Sequence, residues 1–276
     1  MSCRFTRGFF IVLLSLIVNS GFAQGDLLIT PKRLVFDGSK RVEEINLANI
    51  GKDTTTYTIS FVQFKMDEKG VMSPISDTDT TGNFAHKNLR FFPRTVTLAP
   101  NEAQSVKVQL IKANELLPGE YRSHLFFKNE ITRAVLGDEK AAARDSGISV
   151  NLKPVFGISI ATIIRIGNNE TSASISDALF SPSATDPAVS FAINRKGNFS
   201  VYGDVKVTHI SPSGVRSEVA LMKGLAVYNP NPVRKVTLPL TKGASVDYAL
   251  GSLQIDYFES KPQSNNPMIA SAAVKL

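Results

Sequence analysis

The sequence predicts an all-β protein built as two sandwich domains, and three observations carry that reading. Helix signals are weak throughout, and apolar residues alternate instead with period two. The alternating segments are rich in Val, Ile, Thr, Phe and Tyr, the composition of a pleated, half-buried surface. Turn residues interrupt them at strand-length intervals. The pattern then restarts after Gly167-Asn168-Asn169-Glu170. A chain of 276 residues can bury one large core or two smaller ones, and the restart favours two.

The first segment is an address rather than part of a fold. Arg4 and Arg7 supply positive charge, and nothing acidic precedes Asp26. The apolar run over 9–18 is about half the ~20 residues that a membrane-spanning helix requires. It ends at Gly21-Phe22-Ala23, with small residues where a signal peptidase reads, so residues 1–23 are expected to be a cleaved secretory signal. The sole cysteine, Cys3, lies ahead of the apolar run and leaves with it, as do two of the seven net positive charges. The remaining chain has no thiol or disulfide chemistry. Its Lys and Arg are scattered among Asp and Glu, which describes a solvated surface rather than a nucleic-acid footprint. No second apolar stretch is long enough to span a bilayer, so no stable membrane insertion is expected.

The first domain is assigned to 24–166. Candidate strands run over 42–48, 54–64, 95–98, 105–111 and 121–128, separated by turns such as Asp67-Glu68-Lys69-Gly70 and Leu117-Pro118-Gly119. With their neighbours they make about seven short strands, the number of an immunoglobulin-like sandwich. Residues 130–147 mix charges with small residues and read as a loop. The second domain is assigned to 167–276, with strands over 173–180, 188–194, 203–210, 215–222, 225–228, 235–240, 252–258 and 270–276.

Motifs for catalysis are missing. There is no H-E-x-x-H, no G-x-S-x-G, no phosphate loop and no G-x-G-x-x-G. His86, His124 and His209 have no carboxylates at metal-ligand spacing, so neither a metal nor a cofactor is expected. An acidic pair acting on a sugar needs no local motif, which keeps an exported β-sandwich hydrolase as a rival reading.

The informative segment is 148–165. Ile148, Val150, Leu152, Pro154, Phe156, Ile158 and Ile160 form an apolar face, against Ser149, Asn151, Lys153, Val155, Gly157, Ser159 and Ala161 on the other. Extended, the run would reach about 60 Å, more than one small sandwich needs. Pro154 cannot donate a ladder hydrogen bond, which places it on an edge or at a bend. Two readings follow. The edge is lent to a client that lacks a strand, or one long core strand bends at Pro154 and Gly157.

Several stretches taken in order resemble the periplasmic pilus-assembly chaperones, the PapD-like family. They are Ile29-Thr30-Pro31-Lys32-Arg33-Leu34-Val35-Phe36-Asp37-Gly38, Arg41 to Asn49, Phe92 to Glu102, Leu117 to Leu125 and Gly157 to Arg165. The second half is similar chiefly at 197–204. The resemblance implies two immunoglobulin-like domains set in an L and a location in the periplasm. It also implies a non-enzymatic mechanism in which Val150, Leu152, Phe156 and Ile158 fill the groove of a pilin or fimbrial subunit. An outer-membrane usher is implied as a further partner, and self-association as a way to cap the strand without a client. Arg33 and Arg165 match the family's client-carboxylate cations. Ala161 stands where the family often has a lysine, and Arg122 where it often has an acid. The two-cation anchor and the interdomain ion pair are therefore not carried over. A two-domain binding or structural protein without a pilin client is the alternative.

Overall fold

The computed structural model describes residues 27–75, 82–130, 157–183, 186–241, 246–260 and 266–276. The expected signal segment and residues 148–156 of the alternating run lie outside them. The strands of the first half are β1 (Leu27–Thr30), β2 (Arg33–Phe36), β3 (Val42–Asn49), β4 (Thr55–Val62), β5 (Phe64–Met66), β6 (Met72–Pro74), β7 (Leu89–Phe92), β8 (Thr95–Leu98), β9 (Ala103–Leu110), β10 (Gly119–Glu130) and β11 (Gly157–Ile166). Those of the second half are β12 (Ser172–Ser181), β13 (Ala188–Lys196), β14 (Val201–Ile210), β15 (Arg216–Val227), β16 (Val233–Pro239), β17 (Ser252–Glu259) and β18 (Met268–Lys275). No α-helix occurs among the described residues. The chain is all-β, as its period-two pattern requires.

Two sandwiches result. In the first, a sheet ordered β1-β3-β9-β7 faces one ordered β2-β11-β10-β4-β8. Alternation does the work: Ile45 and Leu47 on β3, Val106 and Val108 on β9, and Leu125 and Phe127 on β10 all point into one core. The apolar residues between these sheets supply the main driving force. Asn49, fully buried, locks one end. Its side-chain amide donates to the carbonyls of Asp53 (2.8 Å) and Leu98 (3.0 Å), and its Oδ1 accepts from Gly51 N. In the second sandwich, β12-β13-β16 faces β15-β14-β17-β18 around Val189, Phe191, Val205, Leu253 and Tyr257.

Two strand expectations are corrected. Residues 54–64 are not one strand: β4 stops at Val62, and Phe64 opens the separate β5–β6 hairpin. Residues 215–222 and 225–228 are one strand, β15. Lys223 and Gly224 oppose Asp204 alone in a bulge, so the ladder continues past the glycine. Gly224 sits at φ +71°, and its N–H donates to the Asp204 carboxylate at 2.8 Å.

Candidate functional site

β10 and β11 run antiparallel, and β2 joins the other side of β11 in parallel. Side chains at paired positions share a face, so the register fixes three rows on the outer face of this sheet. Glu120 lies opposite Arg165. Arg122, Ile163 and Val35 form the next row, then His124, Ala161 and Arg33. Ile163 is fully buried yet belongs to neither apolar core. The cover comes from the second sandwich.

That cover is a set of loops and strand ends carrying aromatic rings. The Arg33 guanidinium sits 4.0 Å from the centroid of Tyr202, Arg122 is 3.9 Å from that of Tyr228, and Arg165 is 5.1 Å from that of Phe199. Each such stack contributes roughly 0.5–2 kcal/mol, with the larger values where water is excluded. Arg195 holds the loops in place from behind. It donates to the carbonyls of Asn231, Gly197 and Phe199, and to Asn229 Oδ1.

The deepest of these three rows carries an acid. Glu120 is buried, with its side chain 1% exposed, and its Oε2 accepts from Arg165 Nε at 3.0 Å and from Ser200 N at 2.9 Å. Ser200 Oγ donates to its Oε1. Arg165 Nη2 in turn donates to the Ser200 carbonyl at 3.0 Å. The ion pair thus lies within the first sandwich, and hydrogen bonds of Glu120 and Arg165 with Ser200 carry it to the second, while Arg122 occupies the position where the resemblance would place the acid. Burial lowers the Arg122 guanidinium from its ordinary value, while Tyr228 and Glu120 oppose that shift. His124 is pushed down to about 3, first by burial and then by Arg122.

A second contact braces the junction. Asn231 Nδ2 donates to the carbonyl of Met66 at 2.6 Å, and Lys235 N donates to that of Glu68 at 2.6 Å, so the β5–β6 hairpin caps the free edge of β16. The Lys235 ammonium also meets the Glu68 carboxylate at 2.7 Å.

Of the residues expected at a site, Arg33 and Arg165 come together. Both line one open cleft of about 600 Å³ between the sandwiches, with Tyr202 and Met268 across from them. Their situations differ. The charge of Arg165 is opposed by Glu120, whereas the Arg33 Nε is shielded from solvent without a hydrogen-bond partner among the described residues. Ile158 lies on the core-facing side of β11 in line with Ile160 and Ile164, but it is 36% exposed because the core has ended there. Val150, Leu152 and Phe156 lie outside the described residues.

β11 itself is an edge over only part of its length. β2 covers 161–164, while over 157–160 β11 pairs with β10 alone among the described residues. Sequence reasoning missed Glu120, Tyr202 and Tyr228, which acquire meaning only from the strand register. No cluster of metal-ligating side chains occurs among the described residues, and no helix there is long and apolar enough to cross a membrane.

No family model and no curated protein matches the chain. Solved structures similar to it are chaperones of pilus and fimbria assembly. The YadV chaperone is 10% identical, with 91% of this chain and 100% of that one covered at a TM-score of 0.45. The CupB2 chaperone of Pseudomonas aeruginosa is 12% identical over 90% and 100%, at 0.42. The CsuC–CsuE chaperone–tip subunit complex of Acinetobacter baumannii gives 10% identity over 89% and 99%, at 0.45. With TM-scores below one half, these likenesses leave the functional reading to the geometry of the chain itself.

Proposed function

We propose that this chain is an exported, non-enzymatic chaperone of the periplasm, holding pilin or fimbrial subunits by lending them the edge of β11. One observation carries the reading: among the described residues the edge is open over 157–160, and it closes at Ala161, where β2 begins with Arg33. An incomplete sandwich exposes an apolar groove and unpaired backbone groups, and an added strand covers both. A client strand pairing along 157–160 cannot pass Ala161. Its end falls at Lys32 and Arg33, two cations, so the end suited to that place is a carboxylate. A client ending there runs parallel to β11.

The apolar row of β11 leaves the core at Ile158, and Phe156, Leu152 and Val150 continue its parity upstream as the proposed groove contacts. Arg33 is the proposed primary cation for the client's carboxylate, with Arg165 contributing from a charge already shared with Glu120. The proposed organisation is a cleaved signal over 1–23 and domains over 24–166 and 167–276. An outer-membrane usher as the receiving partner, and self-association in the client's absence, belong to the same proposal. The test is co-expression with candidate fimbrial subunits in the periplasm, followed by co-purification. A stable one-to-one complex supports the reading, and recovery of the chain alone across the subunits of its own assembly system overturns it.

A further inference from the structure

The face that carries Arg33 has a second feature beside it, and the inference below rests on the strand-lending reading. Ala161 lies between His124 and Arg33 in the outermost row of the junction. Its methyl group is the smallest side chain of the three, and a recess of about 200 Å³ opens over it. Phe64 and Met72 of the β5–β6 hairpin wall one side, and Tyr228 of the second sandwich lines it as well. His124 packs edge-on against Phe64, with centroids 5.0 Å apart. Lys32 borders the recess, and none of the residues lining it is acidic.

We infer that this recess receives the last side chain of the client, and that it selects chains ending in an aromatic or long apolar residue. Three observations combine to say so. The open edge of β11 stops beside the recess, because Ser159 and Ala161 both line it while β2 pairs from Ala161 onward. A strand added to that edge therefore delivers its terminal residue there. The walls are aromatic and apolar, and an apolar cavity of about 150 Å³ is enough for a benzene ring. The charges at hand, on Lys32 and on Arg33 in the same row, suit the carboxylate of that same residue and repel a terminal lysine or arginine. Burial keeps His124 neutral down to about pH 3, so its ring adds a surface without a competing charge at neutral pH.

Ala161 is then a specificity-determining residue. Its small size matters because any longer side chain would fill the recess from its floor. Burying a phenylalanine-sized group rather than a methyl changes affinity by about tenfold or more.

The experiment uses the full mature chain and one labelled, alternating apolar peptide prepared with four ends: Phe, Ala, Lys and Phe amide. Fluorescence anisotropy reads the dissociation constants. The expected order is Phe tightest, Ala weaker by tenfold or more, and Lys weakest. Ala161→Leu and, at an exposed position, Ser159→Leu should erase the Phe preference while leaving the affinity for the Ala-ended peptide within a few-fold. Equal binding of the Phe and Ala ends by the native chain overturns the inference, as does a preference that survives both substitutions. The amide reports separately on the carboxylate: if Phe amide binds as well as Phe acid, the cationic anchor fails while the recess stands. Failure of every peptide to bind overturns both. A dimer of the chain alone that Ala161→Leu disperses would assign the recess to a second copy and overturn the inference too.

Discussion

Glu120 of the first sandwich pairs with Arg165 across the β10–β11 ladder and accepts two hydrogen bonds from Ser200 of the second. One buried carboxylate thus joins both β10 and β11 to the loop that covers them. Removing one member of such a pair leaves the other buried and unopposed, at a cost of about 3–5 kcal/mol. Glu120→Ala should lower the thermal midpoint by about 10 °C. Adding Arg165→Met should recover part of the loss, because the stranded charge goes with it. Calorimetry of the single and double variants decides it; a double variant no better than the single one removes the pair from the account.

His124 gives the junction a pH dependence whose sign is fixed. Its folded value lies near 3, against an ordinary 6.5, because burial and the Arg122 charge both disfavour the imidazolium. The unfolded chain therefore binds a proton below about pH 6.5 that the folded chain refuses. Stability from this residue is complete above that value and falls by about 1.4 kcal/mol per pH unit as pH drops toward 3. Urea unfolding at pH 7 and pH 5 should show a loss of about 2 kcal/mol in the native chain beyond the loss in His124→Gln. Equal losses would mean that His124 opens to solvent before it titrates.

The all-β class was legible because alternation reports burial directly: Val106, Val108 and Leu110 on β9 are apolar in the sequence and buried in the fold. The two-sandwich architecture followed from the restart of that alternation beyond Gly167. Arg33 and Arg165 were reached through the flanking residues of the resemblance. The partners of those arginines were not. Glu120 meets Arg165 only through the β10–β11 register, and those strands are separated by a long stretch of sequence rather than by a two-residue turn that would fix their pairing. Tyr202 and Tyr228 look like ordinary strand-end aromatics until the second sandwich is placed over the first. The contact made by an acid beside Arg122 was hidden for the same reason. Two residues earlier on the same face, Glu120 meets the second sandwich through hydrogen bonds from Ser200.

Ile158 tests the proposed lending edge without touching the fold. It sits where the apolar row leaves the core and is already 36% exposed. A surface substitution of this kind changes stability by about 0.5 kcal/mol or less. Ile158→Asp should leave the melting temperature nearly unchanged and yet abolish co-purification of a client, because an aspartate on that face would be buried unpaired in the client's groove. Normal capture by the variant would show that the client does not add to the 157–160 edge.

Arg33 separates charge from packing. Its guanidinium stacks on Tyr202, and its shielded Nε has no acceptor among the described residues, so the side chain is oriented but not fully satisfied by them. A client carboxylate would supply the acceptor, in a charge-assisted bond worth about 1.5–3 kcal/mol. Arg33→Ala should therefore weaken client binding by roughly ten- to a hundred-fold. Arg33→Lys should recover only part of that loss, since an ammonium keeps the charge without the planar fork or the stack. Titration calorimetry at two salt concentrations distinguishes the roles. The native chain should lose affinity as salt rises, and Arg33→Ala should lose measurably less, because it no longer carries the charge that salt screens. If both variants bind as the native chain does, Arg33 serves only to seat Tyr202, and the client's carboxylate must be held elsewhere in the cleft.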